Sequence, residues 1–495
     1  MIDHADKPVR EVMRPRSSVA VIRLNSPWNE NARLLRETRF SRYPIVEADG
    51  ARPLGILHVM DLALAETGQE LDAAQLKELA RSGLELREDL SLAETAAQFR
   101  RHSNEMGIIL NVAYFGIRKF HTGGRLPERQ ARTEAELAAR FAADMKDAAD
   151  ENRADIAHQV QALYARQQRD PNATLDFLLL SGGGDRGAFG AGFLLGWASV
   201  EGVNALPKFD GVSGVSAGAL IAPFAFLGTQ ADLETIDRLF RNPKPDWVVR
   251  RGMFFFLPEN ASFADVPGLV RDLRSEVDLK IAERIARAGS DGRRVLLIQA
   301  TDVDMGTARA FDAVAAAREA VATGDPKLLS DILLASAAIP GAFPPREIQG
   351  RLYADGSIAS NFFYGGPMDE SDTFGATWRR EHPNAPIPKT RYWVIINEYI
   401  QPTPVTLQPT WPAIVDRSIY VSVRSAEAIA LRHLYTIAEA TRLRGDGDVE
   451  VRWVAVPQTW KPLNDRPFDK ETMRLLSAEG RRLGADPNSW MTKAP

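Results

Sequence analysis

Cysteine is absent from the 495 residues. Its absence excludes disulfides, a cysteine nucleophile and any thiolate metal site. No uninterrupted apolar run approaches the roughly 20 residues of a membrane-spanning helix. The opening MIDHADKPVREVM has no basic stretch followed by an apolar core, so no secretory leader is read there. A basic surplus is also missing. Lys+Arg total 61 against Asp+Glu 65, a formal net charge of -4, and that balance disfavours nucleic acid as a partner. These absences set the expectation of a cytoplasmic protein, with peripheral membrane contact as the variant. What is present is ordinary for a globular protein: 45% apolar and 25% charged residues. The length suggests several domains of about 100–200 residues each.

Residues 1–70 read as a compact α+β unit. Glu30 to Thr38 is helical in composition, Tyr43 to Val46 and Leu54 to Leu57 are strands, and a helix is expected from Met60. The order begins again at Leu84 and breaks off after Leu110. From Arg132 to Arg169 charged residues and alanine dominate, which predicts one or two solvated helices joining two domains. From 174 onward strands and helices alternate. Strands are expected at Leu175 to Leu180, Phe209 to Ser213, Val295 to Ala300 and Tyr392 to Asn397, and helices at Gly187 to Val200 and Ala217 to Leu227. That alternation predicts an α/β domain with a largely parallel sheet covered on both faces. The last segment holds one helical stretch, Val423 to Leu443, and no recognisable chemistry.

Ser181 to Gly187 (SGGGDRG) lies between a strand and a helix. Gly182, Gly184 and Gly187 fit the spacing of a dinucleotide loop, but no acidic residue ends a second strand at the right distance. The other reading is an oxyanion hole, since adjacent glycines expose backbone N–H groups at a helix N-terminus. Arg186 would orient that loop or add positive charge.

Gly214-Val215-Ser216-Ala217-Gly218 matches G-x-S-x-G, with an apolar strand leading in and an apolar helix leading out. That is the setting of a serine nucleophile on a tight elbow. A serine hydroxyl needs a base. Five of the seven histidines precede the sheet domain, and neither His382 nor His433 has the neighbourhood of a catalytic loop. A carboxylate is the alternative. Asp355, after an expected strand and before Gly356, is the candidate, and partial burial would raise its pKa toward a useful value.

Together these residues resemble the patatin-like phospholipase family, whose pattern is G-G-G-x-R-G, then G-x-S-x-G, then D-G-[GA]. Here they are Gly182 to Gly187, Gly214 to Gly218 and Asp355-Gly356. Thr301-Asp302-Val303 and Ala335 to Pro345 are similar to the family as well, and the resemblance covers about 174 to 400. It departs from the pattern at Ser357, where the family has Gly or Ala. The resemblance implies a three-layer α/β/α domain and a Ser216–Asp355 dyad. It implies an oxyanion hole from Gly182, Gly183, Gly184, Arg186 and Gly187, with Gly214 and Gly218 forming the elbow. It implies hydrolysis of a lipid acyl ester through an acyl-serine, with no metal and no cofactor.

The N-terminal region resembles a CBS domain. Val12 to Arg16, Ser41 to Val46 and Gly55 to Asp61 carry the likeness, and the second repeat is incomplete. In the family the last segment carries a Ser/Thr and an Asp that contact a nucleotide; here Asp61 is kept as the candidate contact while His58 stands in the Ser/Thr region. The resemblance therefore implies a structural or homodimerising module or a degenerate remnant, with nucleotide binding at Asp61 as the alternative. The expected division is a CBS-like module over 1–115, a charged helical linker over 116–170, the acyl hydrolase domain over 171–400 and its C-terminal extension over 401–495. Trp247 to Leu257 mixes basic and aromatic residues; it reads as a core segment beneath a loop or as a lip meeting a lipid interface. The rival functions are an acyltransferase using the same serine, and a nucleotide-sensing regulator whose sheet domain is silent. A dinucleotide-dependent oxidoreductase leaves the serine elbow unexplained.

Overall fold

A computed structural model describes residues 19–38, 42–48, 53–58, 71–80, 132–251, 261–290, 293–365, 369–464 and 466–495. The chain divides into two units, Met1–Leu126 and Pro127–Pro495.

In the first unit β1 (Ile22–Arg23) pairs in parallel with β2 (Arg42–Val46), which pairs antiparallel with β3 (Gly55–His58). A helix, Trp28–Thr38, links β1 to β2, two residues longer at its start than its composition predicts. Ile22, Tyr43, Ile45, Leu57 and Leu76 form a small core. The Asn31 amide fastens helix to strand, accepting from the Arg23 N–H at 3.1 Å and donating to the Arg23 carbonyl at 2.8 Å. The helix expected from Met60, and the second repeat from Leu84, lie outside the described residues.

The second unit is built on one mixed sheet. β4 (Leu175–Leu180), β5 (Gly211–Val215), β8 (Val295–Asp302), β12 (Thr390–Ile396) and β13 (Val449–Ala455) are mutually parallel, in the order β8-β5-β4-β12-β13. β9 (Thr307–Asp312) folds back on β8 as a hairpin, and β10 (Arg346–Ile348) and β11 (Arg351–Asp355) add antiparallel pairs. A separate two-residue ribbon joins β6 (Val249–Arg250) to β7 (Ala264–Asp265).

Strand periodicity explains why the sheet is covered twice. In β4, Leu178 and Leu180 face a core built with Phe189, Phe193, Ile221 and Phe224. Leu175 and Leu179 face the other way, toward Val160, Leu163, Trp378, Leu431 and Leu434. Helices therefore lie on both faces, and the domain is a three-layer α/β/α sandwich.

Two helices differ from expectation. The charged stretch from Arg132 is one continuous helix, Glu134–Gln167, opened by a Thr133/Glu136 capping box. Its first half is solvated, but Ile156, Val160 and Leu163 recur at i, i+4 and i+7 and bury against Leu175 and Trp378. This half is a covering layer of the sheet. The helical stretch expected from Val423 begins at Trp411 and runs 33 residues to Leu443. Residues 401–495 also supply β13 and the helix Lys470–Gly484, which packs closely on Gly187–Trp197.

Candidate active site

β5 delivers the chain to Ser216, which has φ 52° and ψ -120°. A non-glycine residue here is strained, and such strain is held only where the surroundings demand it. The demand is visible at Gly218: a Cβ there would lie 2.3 Å from the Leu180 carbonyl oxygen. The helix Ala217–Leu227 can start beside β4 only with glycine at that place. Gly214, in β5, is paired with Leu180 and Ile298.

Ser216 Oγ donates a hydrogen bond to Asp355 Oδ2 at 2.7 Å. Asp355 ends β11 and is fully buried. Its other oxygen accepts the Ser357 N–H at 2.9 Å, so the residue that departs from the expected Gly or Ala contributes a backbone donor to the carboxylate. Burial pushes the Asp355 carboxyl above its ordinary range, while the Ser216 hydroxyl and Ser357 pull it down. A carboxylate so placed is a stronger base than a free aspartate. Among the described residues the two C-terminal histidines are engaged elsewhere. His433 shares a hydrogen bond with Tyr364, and His382 stacks on Tyr164.

The glycine loop runs beside this pair. A Cβ at Gly182 would lie 3.0 Å from Ser216 Cβ. Gly183 is pressed against β12, where a Cβ would stand 2.0 Å from the Asn397 carbonyl oxygen, so no larger residue fits. The Asn397 side chain donates to the Ser181 carbonyl at 2.7 Å and accepts the Gly190 N–H at 3.0 Å, tying loop to helix. Among the described residues the N–H groups of Gly183 and Gly184 have no acceptor within the chain. They are free for a ligand oxygen at the head of the helix Gly187–Trp197. Arg186 is turned away: it ion-pairs with buried Glu398 and lies over the Tyr399 ring, 5.3 Å from its centroid. Gly187 begins the helix and packs on Phe240 and Ala217.

Several partners of the site were given no role from the sequence, although Ser336 lies within the Ala335 to Pro345 segment. Ser336 accepts the Ser216 N–H at 2.9 Å and donates to the Gln299 carbonyl, bridging elbow and sheet. Asn361 Oδ1 accepts the Gly182 N–H at 3.2 Å, and Asn361 Nδ2 donates to Glu427 at 2.7 Å. Glu427 is fully buried and paired with Arg424 at 2.6 Å. Burial pushes its carboxyl up to about 7, against the pull of Arg424.

The model of the patatin-like phospholipase family matches residues 178–366, and that of the CBS domain matches 9–68. The chain carries a patatin-like phospholipase domain behind a CBS domain. Other similarities are partial. The chain is 27% identical over 113 residues to "UPF0053 protein sll0260" of Synechocystis, covering 23% of this chain and 24% of that protein. It is 26% identical over 111 residues to the magnesium and cobalt efflux protein CorC of Escherichia coli K12, covering 22% and 38%. The chain thus spans well under half the length of these relatives. Among solved structures, VipD from Legionella pneumophila aligns at a TM-score of 0.30 and 12% identity, covering 65% of this chain and 68% of that one.

Asp61, the expected nucleotide contact, lies outside the described residues, as do the phenylalanines of the expected lip. Trp247 at the start of that segment is buried, its Nε1–H donating to Asp272 at 2.8 Å. Among the described residues no cluster of His, Asp and Glu has metal-ligand geometry, and no helix is long and apolar enough to cross a membrane.

Proposed function

We propose that the protein hydrolyses lipid acyl esters through an acyl-Ser216 intermediate. In this reading Asp355 takes the Ser216 proton as Oγ attacks the ester carbonyl carbon. The negative charge then forming on the carbonyl oxygen is met by the N–H groups of Gly183 and Gly184 at the helix N-terminus. The alkoxide leaves with the proton held by Asp355. That proton passes to the alkoxide, freeing Asp355. Water then attacks the acyl-serine, Asp355 takes its proton and returns it to the departing Ser216 Oγ, and the fatty acid is released. The single observation that carries the reading is the 2.7 Å hydrogen bond from Ser216 Oγ to a buried carboxylate. Gly182, Arg186 and Gly187 hold the loop rather than touch the oxyanion.

Exposed apolar residues support contact with a lipid surface. Ile414, Val415 and Ile419 are each about half exposed on the long C-terminal helix, and Val405 more so. Ile419 precedes Arg424 by about 7.5 Å along the helix axis, so this stripe adjoins the residues that reach the glycine loop. The CBS domain is read as a regulatory and dimerising module with Asp61 as its nucleotide contact; ATP titration and sedimentation of wild type against Asp61→Ala test this.

The test of the central reading is release of free fatty acid from phosphatidylcholine vesicles. Wild type releases fatty acid and Ser216→Ala does not. Equal release by both would overturn it.

A further inference from the structure

The glycine loop is held at two places by carboxylates that the proposed chemistry does not use. On one side Glu398, at the end of β12, pairs with Arg186. On the other, Glu427 reaches the loop through Asn361 and through the nearby Ser181 hydroxyl. Glu427 belongs to the helix Trp411–Leu443, well outside the stretch matched by the family model.

The donor and acceptor arithmetic at Asn361 is restrictive. An asparagine amide offers one oxygen and one NH2 group. Above its raised pKa of about 7, Glu427 is ionised and only accepts, so the assays below are run at pH 8.5. Glu427 takes Asn361 Nδ2 on one oxygen and the Arg424 guanidinium on the other. Asn361 must then turn its oxygen toward Gly182, where it receives the N–H. The Gly182 N–H is shared with the Asn361 backbone carbonyl, also at 3.2 Å, so Asn361 holds the loop through main chain and side chain together. With the amide reversed, Nδ2 would face the Gly182 N–H, leaving only the backbone half of that bond, and Glu427 would lose a partner. All three side chains are buried, so water offers no substitute.

We propose that Glu427 is a positioning residue for the proposed oxyanion loop, fixing the Asn361 amide so that Gly182 is tied down and the N–H groups of Gly183 and Gly184 stay directed to the substrate. The inference rests on the hydrolase reading above. It assigns the C-terminal helix a part in turnover, although no atom of it touches the reacting groups.

The experiment uses the full chain, with kcat and KM for a soluble p-nitrophenyl ester and labelling of Ser216 by a fluorophosphonate. In Glu427→Gln the new amide faces two donors, Arg424 and Asn361, and satisfies only the charged one. Asn361 then reverses. A donor misplaced by about 1 Å costs on the order of a hundredfold, so kcat is expected to fall about ten- to a hundredfold with KM changed less than about threefold. In Arg424→Gln/Glu427→Gln the amide at 424 accepts from the amide at 427, whose oxygen is free for Asn361, and kcat recovers at least in part. Asn361→Ala leaves the Arg424–Glu427 pair intact and is expected to lose kcat like Glu427→Gln.

Wild-type kcat in Asn361→Ala or in Glu427→Gln overturns the proposal. A kcat loss in Glu427→Gln with no recovery in the double variant also overturns it, because a merely structural role predicts additive damage. Should the Glu427 variants fail to fold, Asn361→Ala decides. A wild-type protein that neither turns over ester nor labels at Ser216 defeats the hydrolase reading instead, which keeps the two failures distinct.

Discussion

Val215 and Asp355 take consecutive places along one edge of β8: Val215 is paired with Gln299, and Asp355 with Ala300. β9 occupies the opposite edge from Leu297 to Asp302, so β5 and β11 share this one. They approach from opposite directions and meet end to end. The residue that follows β5 is Ser216, and the residue that ends β11 is Asp355. Two strands some 140 residues apart thus bring a hydroxyl and a carboxylate within 2.7 Å with no long loop to order. Gln299, between them, spans the junction by donating to the Gly356 and Ser360 carbonyls at 3.0 and 2.6 Å.

This junction tolerates little added volume. At Gly218 an alanine methyl meets the Leu180 carbonyl oxygen at 2.3 Å, and a backbone oxygen cannot swing aside as a side chain could. Overpacking of this kind costs about 1–3 kcal/mol. Gly218→Ala is expected to lose that much in urea unfolding and to lose ester turnover by displacing Ser216. Unchanged stability would show that the elbow is looser than drawn.

Asp155, half-buried on the helix Glu134–Gln167, gives a pH test. Burial pushes its carboxyl up to about 7, and Asp312 and Glu151 add to the shift. A free aspartate titrates near about 3.9, so between these values the folded state holds a proton that the unfolded chain has released. Stability therefore falls as pH rises through that window and levels off above it. Asp155→Asn escapes this loss. Unfolding free energies at pH 5 and pH 8 should show the variant gaining on wild type at the higher pH. A gain equal at both values would contradict the shift.

The apolar stripe on the long helix predicts a division between substrates. Ile414→Asp/Ile419→Asp should weaken vesicle binding in a flotation assay and slow release of fatty acid from vesicles by about tenfold or more, since a charge on a membrane-facing residue opposes docking. Turnover of a soluble ester should stay near wild type. Loss of both activities together would place the stripe in the fold rather than at the lipid surface.

How much of this was legible in the sequence follows from the range of each interaction. Leu175 to Leu180, the glycine loop and the Ala217 helix are local patterns, and they fold where the pattern places them. Asp355 was reachable because its glycine-flanked position follows a strand and histidine offers no rival. Ser336, Asn361 and Glu427 were not. Ser336 meets the elbow across 120 residues, Asn361 meets the loop across 179, and Glu427 acts through Asn361 across 66; each belongs to a residue type common on any surface. The helix Glu134–Gln167 was misread because overall charge masked the spacing of Ile156, Val160 and Leu163. The helix that starts at Trp411 was read about three turns short.

The central claim is that Ser216, activated by Asp355, is the nucleophile. The most direct measurement is covalent labelling of the full chain with a fluorophosphonate, followed by mapping of the adduct. The account predicts a single adduct at Ser216, absent in Ser216→Ala and slowed at least a hundredfold in Asp355→Asn, in line with the losses seen on removing a catalytic base. An adduct at another serine, or labelling of Asp355→Asn at the wild-type rate, would contradict it.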